Sequence, residues 1–304
     1  DGPILDAPFV YRYPQNSRPA EILYRIHDTV HCLDYDHGAR LWNKSVEPPI
    51  EGRILADELR YFFGSANGYF YGYRKNSAFS DWQFRTGGPI SSEPTIDQGR
   101  VAFASSGGSV NGMPGAGPVP EKRWTLNTGA AVHGGVTPFS RWFFVGSTDY
   151  KLYCIEQVDG TVYWSFGAEA PIRDTPVVFK YKANQEYAYV ISSDGPASKP
   201  RRTLFSVPLP KGEVAPVGKA DWRKKDVRKV IAVGKKTLYV IYDSSEKTLA
   251  GLDIETGEEK FTLSLEGFSF VPTNHADAGR DKNERGTLYL VSPSGSVQAI
   301  REKI

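Results

Sequence analysis

At 304 residues with a formal net charge of +2, the chain is long enough to bury a sizeable core without help from disulfides or metals. Aromatic residues make up 13%, with 30 Gly and 21 Pro, a composition that favours many short strands over long helices. No apolar run approaches the length of a membrane helix, and the chain begins at Asp1 without Met and without a visible signal peptide, as a mature or trimmed form would.

Internal periodicity organises everything else. Trp42, Trp82, Trp124 and Trp164 recur at intervals of 40, 42 and 40 residues, and Trp222 and Phe261 continue the series. A second marker, a small residue followed by an apolar one, keeps step with it: Cys32-Leu33, Gly72-Tyr73, Gly112-Met113, Cys154-Ile155, Ser206-Val207, Gly251-Leu252 and Ala299-Ile300. Between the two markers lies a turn, with Gly38, Gly160 and Gly257 each four residues before the aromatic, as a tight hairpin with positive φ requires. The aromatic then sits on the next strand, free to pack between neighbouring sheets.

In chain order, the first unit runs from about Phe9 to Val46. Ile50, Ile90, Val132 and Ile172, each eight residues after its Trp, open the first strands of the next units. Second strands follow at Val101–Ala104, Trp142–Val145, Tyr187–Ile191, Leu238–Tyr242 and Leu288–Val291, where bulky and aromatic residues favour extended chain. The last unit is expected to have strands near Phe268–Val271, Leu288 and Val297–Ile300 and to lack a fourth. Pro3-Ile4-Leu5 is the candidate for that missing strand, closing a ring and removing an open edge. Four short strands in about 42 residues, repeated around a ring, make a propeller blade. The expectation is therefore one all-β domain over residues 1–304, a seven-bladed β-propeller of four-stranded blades closed by the N-terminal strand. A stacked solenoid would need shorter coils, and an eighth blade would need residues upstream of Asp1.

The pattern L-D-x-x-[T/D]-G-x-x-x-W, with a small residue before it and an I-x-x-x-P strand after it, resembles the PQQ-like β-propeller repeat. The stretch from Cys154 to Trp164 is its clearest copy, and the resemblance is strongest in blades one, four and six. A WD-repeat propeller fits less well, because no Trp-Asp dipeptide occurs and the Trp follows the hairpin Gly. Members of the PQQ-like family include quinoprotein dehydrogenases and non-catalytic scaffolds, among them the propeller lipoprotein of the outer-membrane protein assembly machinery. Both kinds are mostly exported in bacteria, and the resemblance implies a periplasmic or cell-envelope location.

The residues favour the non-enzymatic alternative, with no cofactor and no metal. A quinoprotein needs hard oxygen ligands for Ca²⁺ and a carboxylate base near its substrate. Its relatives are about twice this length and many carry an adjacent cysteine pair over the cofactor, which this chain lacks. Cys32 and Cys154 occupy equivalent positions on well-separated blades, too far apart for a disulfide, and are expected as two free thiols packed as small hydrophobes. His27 and His31 share a hairpin with Asp28, but no further ligand stands at a recognisable spacing. Nucleophile elbow, phosphate loop and dinucleotide fingerprint are all missing.

Candidate binding residues follow from charge and loop position. Second-to-third-strand turns and blade-to-blade crossovers share one face of a propeller; the other two turns share the opposite face. Extra length falls at Pro114 to Pro120, Asp194 to Arg202, Pro208 to Lys219 and His275 to Arg285. Residues 199 to 236 hold twelve Lys or Arg against three acidic residues, +9 locally against −7 elsewhere. Lys199, Arg201, Arg202, Arg223, Lys224, Lys225, Arg228 and Lys229 should therefore gather on one face of blades five and six. There they would form a docking patch for an acidic protein surface, an acidic polysaccharide or an anionic lipid headgroup. Nucleic acid is not expected, because the patch lacks interleaved aromatics. Glu51, Ser91, His133 and Arg173 share one repeat position near the axis. They line the channel mouth, the alternative site at which a quinoprotein-like propeller would hold a small molecule or carbohydrate.

Overall fold

The structure is a computed structural model that describes residues 8–14, 17–75, 77, 79–115, 123–182, 185–210, 217–243, 248–268, 287–294 and 296–301. Among these residues there is no α-helix, and the strands form seven sheets. Blade one comprises Phe9–Tyr11, Glu21–Ile26, Thr29–Asp34 and Arg40–Ser45; blade two Glu51–Ala56, Arg60–Gly64, Tyr69–Arg74 and Ser80–Arg85. Blade three comprises Thr95–Asp97, Arg100–Ala104, Ser109–Pro114 and Trp124–Asn127; blade four Thr137–Phe139, Trp142–Gly146, Lys151–Glu156 and Val162–Gly167. Blade five comprises Val177–Lys182, Gln185–Asp194, Arg201–Pro208 and Trp222–Lys225; blade six Val227–Val233, Thr237–Tyr242, Thr248–Asp253 and Glu259–Ser264. Each is a meander in which sequence neighbours pair. Blade seven contributes Thr287–Val291 and Val297–Arg301, which pair antiparallel. Of the strand expected at Phe268–Val271 only Phe268 is described. The insertion at His275 to Arg285 and the closing strand Pro3-Ile4-Leu5 lie outside the described residues.

The chain forms two compact units, Asp1–Asp149 with Tyr153–Tyr163, and Tyr150–Leu152 with Trp164–Ile304. In the first unit each core is a slab between successive sheets. Tyr61 and Phe63 of blade two face Leu23, Val30 and Cys32 of blade one, while Phe62 between them faces Val101 and Phe103 of blade three. Ala102 and Ala104 then turn towards Phe143 and Val145 of blade four. The period of two therefore feeds two cores at once, and second strands such as Arg60–Gly64 are buried along their whole length. The second unit repeats this, with Tyr189 and Leu204 of blade five against Val230 and Val240 of blade six, and Ile231 and Tyr239 of blade six against Leu288 and Leu290 of blade seven.

The two sequence markers are cross-strand partners. Cys32 pairs with Trp42, Gly72 with Trp82, Gly112 with Trp124, Ser206 with Trp222 and Gly251 with Phe261. The small residue makes room for the ring: a Cβ on Gly112 would lie 2.2 Å from the Trp124 indole. The indole then reaches the hairpin of the following blade. Trp124 Nε1–H donates to Gln157 O at 3.1 Å, and Trp222 Nε1–H to Ile254 O at 3.0 Å. The hairpin glycines Gly160 and Gly257 lie directly against those rings. Both cysteines are free and buried, and burial pushes the Cys32 thiol up to about 12 and that of Cys154 up as well.

Part of the extra length in blade five goes into strand rather than loop. Asp194 and Arg201 are paired, so the long connection expected there shrinks to the turn at 195–200. From the next connection, Val217–Gly218 adds in parallel to Ser165 and Phe166 at the outer edge of blade four, which covers an edge that would otherwise present unpaired backbone. The insertion expected at Pro114 to Pro120 is described only at Pro114 and Gly115.

Gly160 and Gly38 separate the two roles of the hairpin glycine. Both have positive φ, +77° and +65°, but a Cβ would meet Trp124 at 2.5 Å in the first case and nothing within 4 Å in the second. Gly38→Ala should cost only the left-handed strain, about 1–2 kcal/mol. Gly160→Ala adds overpacking of roughly 1–3 kcal/mol. Chemical denaturation of the two variants should rank them in that order, with Gly160→Ala also exposing Trp124 to fluorescence quenchers.

Candidate functional site: the crossover between blades five and six

Backbone hydrogen bonds tie each crossover to the second-to-third-strand turns beside it. In the first unit Thr86 N–H donates to Gly68 O at 2.8 Å and Ser106 N–H to Pro89 O at 2.9 Å. In the second unit Asp226 N–H donates to Arg202 O and Asp243 N–H to Asp226 O, both at 2.7 Å. The turn at 195–200, the crossover at 225–227 and the turn following Tyr242 thus share one end of the blade-five and blade-six sheets.

All eight predicted basic residues lie in the second unit, but they are not equivalent. Arg201 is held fork-to-fork by its cross-strand partner Asp194, Nε–Oδ1 3.0 Å and Nη2–Oδ2 2.7 Å. This pairing holds the Asp194 carboxyl below the usual carboxylate range and raises Arg201. Arg202 pairs with Asp243 and Arg223 with Glu169, while Lys224 lies 3.9 Å from Glu259. Exposed pairs of this kind add only about 0.2–1 kcal/mol each to stability, but they cancel charge. Lys199, Lys225, Arg228 and Lys229 have no ion pair among the described residues.

Local backbone geometry explains why two consecutive cations point outward. In strand Val227–Val233 the pairing skips from Val227↔Tyr242 to Lys229↔Ile241, so a bulge falls at Arg228. A bulge breaks the alternation of faces, and Arg228 and Lys229 are both exposed beneath buried Val227. Beside them Lys224, Lys225, Asp226, Tyr242, Asp243 and Thr248 line a cleft of about 580 Å³.

Asp174 belongs to this site and was not singled out in the sequence. Asp174 is exposed at the surface, yet the chain packed around its carboxyl desolvates it enough to raise its pKa, although Arg202, Lys229 and Arg173 pull it back down. Arg173, predicted at the channel mouth, is exposed and donates from Nη1 to Ser193 O at 3.3 Å. Two separate predictions, the channel-mouth Arg173 and the patch residues Arg202 and Lys229, thus converge around one acid. The other channel-mouth residues lie in the first unit: Glu51 is half-buried, Ser91 and His133 are exposed. The backbones near Glu51 and Ser91 are neighbours, since a Cβ on Gly52 would lie 3.5 Å from Ser91 O. The Glu51, Ser91 and His133 side chains make no hydrogen bonds to one another. Among the described residues no three His, Cys, Asp or Glu side chains are grouped to hold a metal ion.

Sheets of this order, with a repeat of this kind, define a class: the molecule is a seven-bladed β-propeller built from PQQ-like repeats. The family described as Outer membrane protein assembly factor BamB matches residues 27–115 and 120–204, more than half of the chain, and the chain belongs to that family. The crystal structure of BamB from Moraxella catarrhalis superposes with a TM-score of 0.69 at 16% identity, covering 99% of this chain and 84% of that one. A chain in the crystal structure of the Mitotic Checkpoint Complex superposes at 0.60 and 9% identity, covering 99% and 87%, a likeness of fold alone. No curated protein matches the chain in sequence.

The raised pKa of Asp174 sets the sign of a stability effect. A carboxyl whose folded pKa lies above its unfolded value binds its proton more tightly in the folded state, so the folded protein loses stability as pH rises through the unfolded value to the folded one. Asp174→Asn removes that loss. The variant should melt at a higher temperature than the parent near neutral pH, and the difference should close as pH falls below the ordinary carboxylate range. Thermal melts across pH check this; a variant less stable at neutral pH would mean the three cations outweigh desolvation.

Proposed function

We propose that the chain is a non-enzymatic propeller scaffold in a bacterial envelope or exported assembly, and that it holds an acidic partner protein on the crossover of blades five and six. The observation that carries the reading is a set of four exposed cations with no ion pair among the described residues, Lys199, Lys225, Arg228 and Lys229, of which Lys225 lines a cleft of about 580 Å³. Family membership supports it, because the matching family is described as an outer membrane protein assembly factor.

The neighbouring pairs have a supporting role. Arg201 with Asp194, Arg202 with Asp243 and Arg223 with Glu169 cancel one another's charge and leave the four remaining cations in excess over Asp226, which lines the cleft, and Asp174. A partner meeting those cations supplies the missing carboxylates. Complementarity of this kind speeds encounter and selects against basic surfaces more than it deepens affinity, and it weakens as salt shortens the Debye length.

Lys199→Glu, Lys225→Glu and Arg228→Glu together reverse three cations without removing a partner from any described carboxylate pair or from Asp174. The triple variant should fold like the parent and bind its native partner at least tenfold more weakly, about 1.4 kcal/mol or more. The residual binding should be less sensitive to salt. Co-purification from native envelopes, followed by affinity measurement at two ionic strengths, reads this out. Unchanged partners with unchanged salt dependence would remove the cluster from the binding surface.

A further inference from the structure

We infer that blades one and two carry a separate docking site, for an extended peptide segment of a partner protein that presents a carboxylate beside an apolar side chain. The site is a cleft of about 600 Å³ in the first unit whose lining includes Tyr13, Arg18, Trp42, Leu59, Arg60 and Lys75.

Its floor is a rigid box of aromatic rings and ions. Lys75 Nζ–H donates to Glu21 Oε2 at 2.7 Å, and the ammonium lies 4.3 Å and 5.0 Å from the ring centroids of Tyr11 and Tyr13. Tyr13 O–H donates to Glu21 Oε1 at 2.8 Å. Glu21 is thereby fully engaged and Lys75 is held in place. Next to this box two guanidinium groups share one carboxylate: Arg60 Nε lies 3.1 Å from Asp81 Oδ2 and Arg74 Nε 2.9 Å from Asp81 Oδ1. The Arg60 side chain is only 4% exposed, and its Nη1 is buried with no hydrogen-bond partner. A buried donor left in this state destabilises the fold. Arg60 lines the cleft, and a second carboxylate that reaches Nη1 from there removes that cost, in a geometry that suits a guanidinium fork. Arg18 adds a further cation at the cleft, its guanidinium over the Tyr13 ring at 5.6 Å. The one carboxylate of the lining not already engaged is the exposed Glu58.

The apolar half of the site projects outward. Asp57 Oδ1 accepts from the N–H groups of Leu59 and Arg60 at 2.8 and 2.6 Å, and the turn it caps presents Leu59 at 62% exposure. Lys75 N–H donates to Leu59 O at 2.9 Å, which joins this turn to the blade-two hairpin that carries Phe79. At 82% exposure, Phe79 is the most exposed large apolar side chain among the described residues. Its backbone is fixed by hydrogen bonds to and from Ser77 Oγ, and Ser77 O is held by Tyr61 O–H. Apolar groups pinned in the open, beside a desolvated cation and a Trp–Tyr wall, are the features of an interface centre. They extend beyond the cleft, so a chain segment fits them better than a compact small molecule.

The test uses the full chain and short fluorescent peptides carrying Leu-Asp, Phe-Asp or Phe-Glu, each matched by its Asn or Gln counterpart. Fluorescence polarisation should show at least one acidic peptide binding, with its amide counterpart at least tenfold weaker. Leu59→Asp should reduce that affinity tenfold or more while leaving the thermal melt in place, and Phe79→Ser should act in the same direction. The Lys199, Lys225 and Arg228 reversal should bind the peptides like the parent, which separates this site from the basic crossover. Equal binding of acid and amide peptides, no binding by any, or full affinity in Leu59→Asp would overturn the inference. So would a concentration-dependent dimer in sedimentation that Phe79→Ser abolishes, since the occupant would then be a second copy of the chain.

Discussion

The contact between a fourth-strand tryptophan and the hairpin of the next blade is the interaction on which the array depends. A propeller has no single core; it has a series of slabs, and each pair of sheets must be held at one spacing and one rotation. Hydrophobic packing is non-directional and leaves freedom in the rotation. The indole removes that freedom with a directional bond. Trp124 and Trp222 each spend their one N–H on a carbonyl of the following blade, which buried Trp side chains require in any case. Glycine at the hairpin serves twice, taking the positive φ and letting the ring lie against bare backbone. A small residue on the third strand seats the other side of the ring.

Deviations from the pattern follow its logic. Trp82 Nε1 is buried without a partner among the described residues, and the blade-three hairpin it would reach lies largely outside them. Phe261 keeps the first contact, against Gly251, and its ring is 42% exposed. The cysteines belong to the same logic. Cys32, opposite Trp42, fills the small-residue position, and both thiols are buried and shifted upward, so they act as small hydrophobes with little thiolate character.

Much of this fold was legible in the sequence because each marker answers to a local requirement. Tryptophan spacing, hairpin glycine and small third-strand residue read directly as blade length, turn and cross-strand pair. The strand at Val217–Gly218 was not legible: two residues pairing in parallel leave no periodic trace. Nor was the bulge at Arg228, which depends on how Val227–Val233 meets its neighbour. The charge map was half legible. Counting residues 199 to 236 found the cations, but Glu169, Asp194, Asp243 and Glu259 all lie outside that window and are brought in by topology. Asp174 was hidden for the same reason, because its environment is set by Arg202 and Lys229 from two other strands.

The two charged sites differ in physical kind, and that difference bears on what each does for a scaffold. At the blade-five crossover the unpaired cations are exposed, so their attraction is long-ranged, screened by salt and tolerant of partner shape. Such a surface gathers and orients a partner. In blades one and two the guanidinium of Arg60 is already desolvated and shares its one carboxylate with Arg74. The cost of burying that charge has been met during folding, so a carboxylate entering the cleft meets a preorganised donor rather than a hydrated one. Interactions of that kind act on dissociation more than on encounter. Propeller blades suit both modes, because the backbone bonds at crossovers and hairpins hold the turns fixed and leave the side chains at their ends to choose the partner.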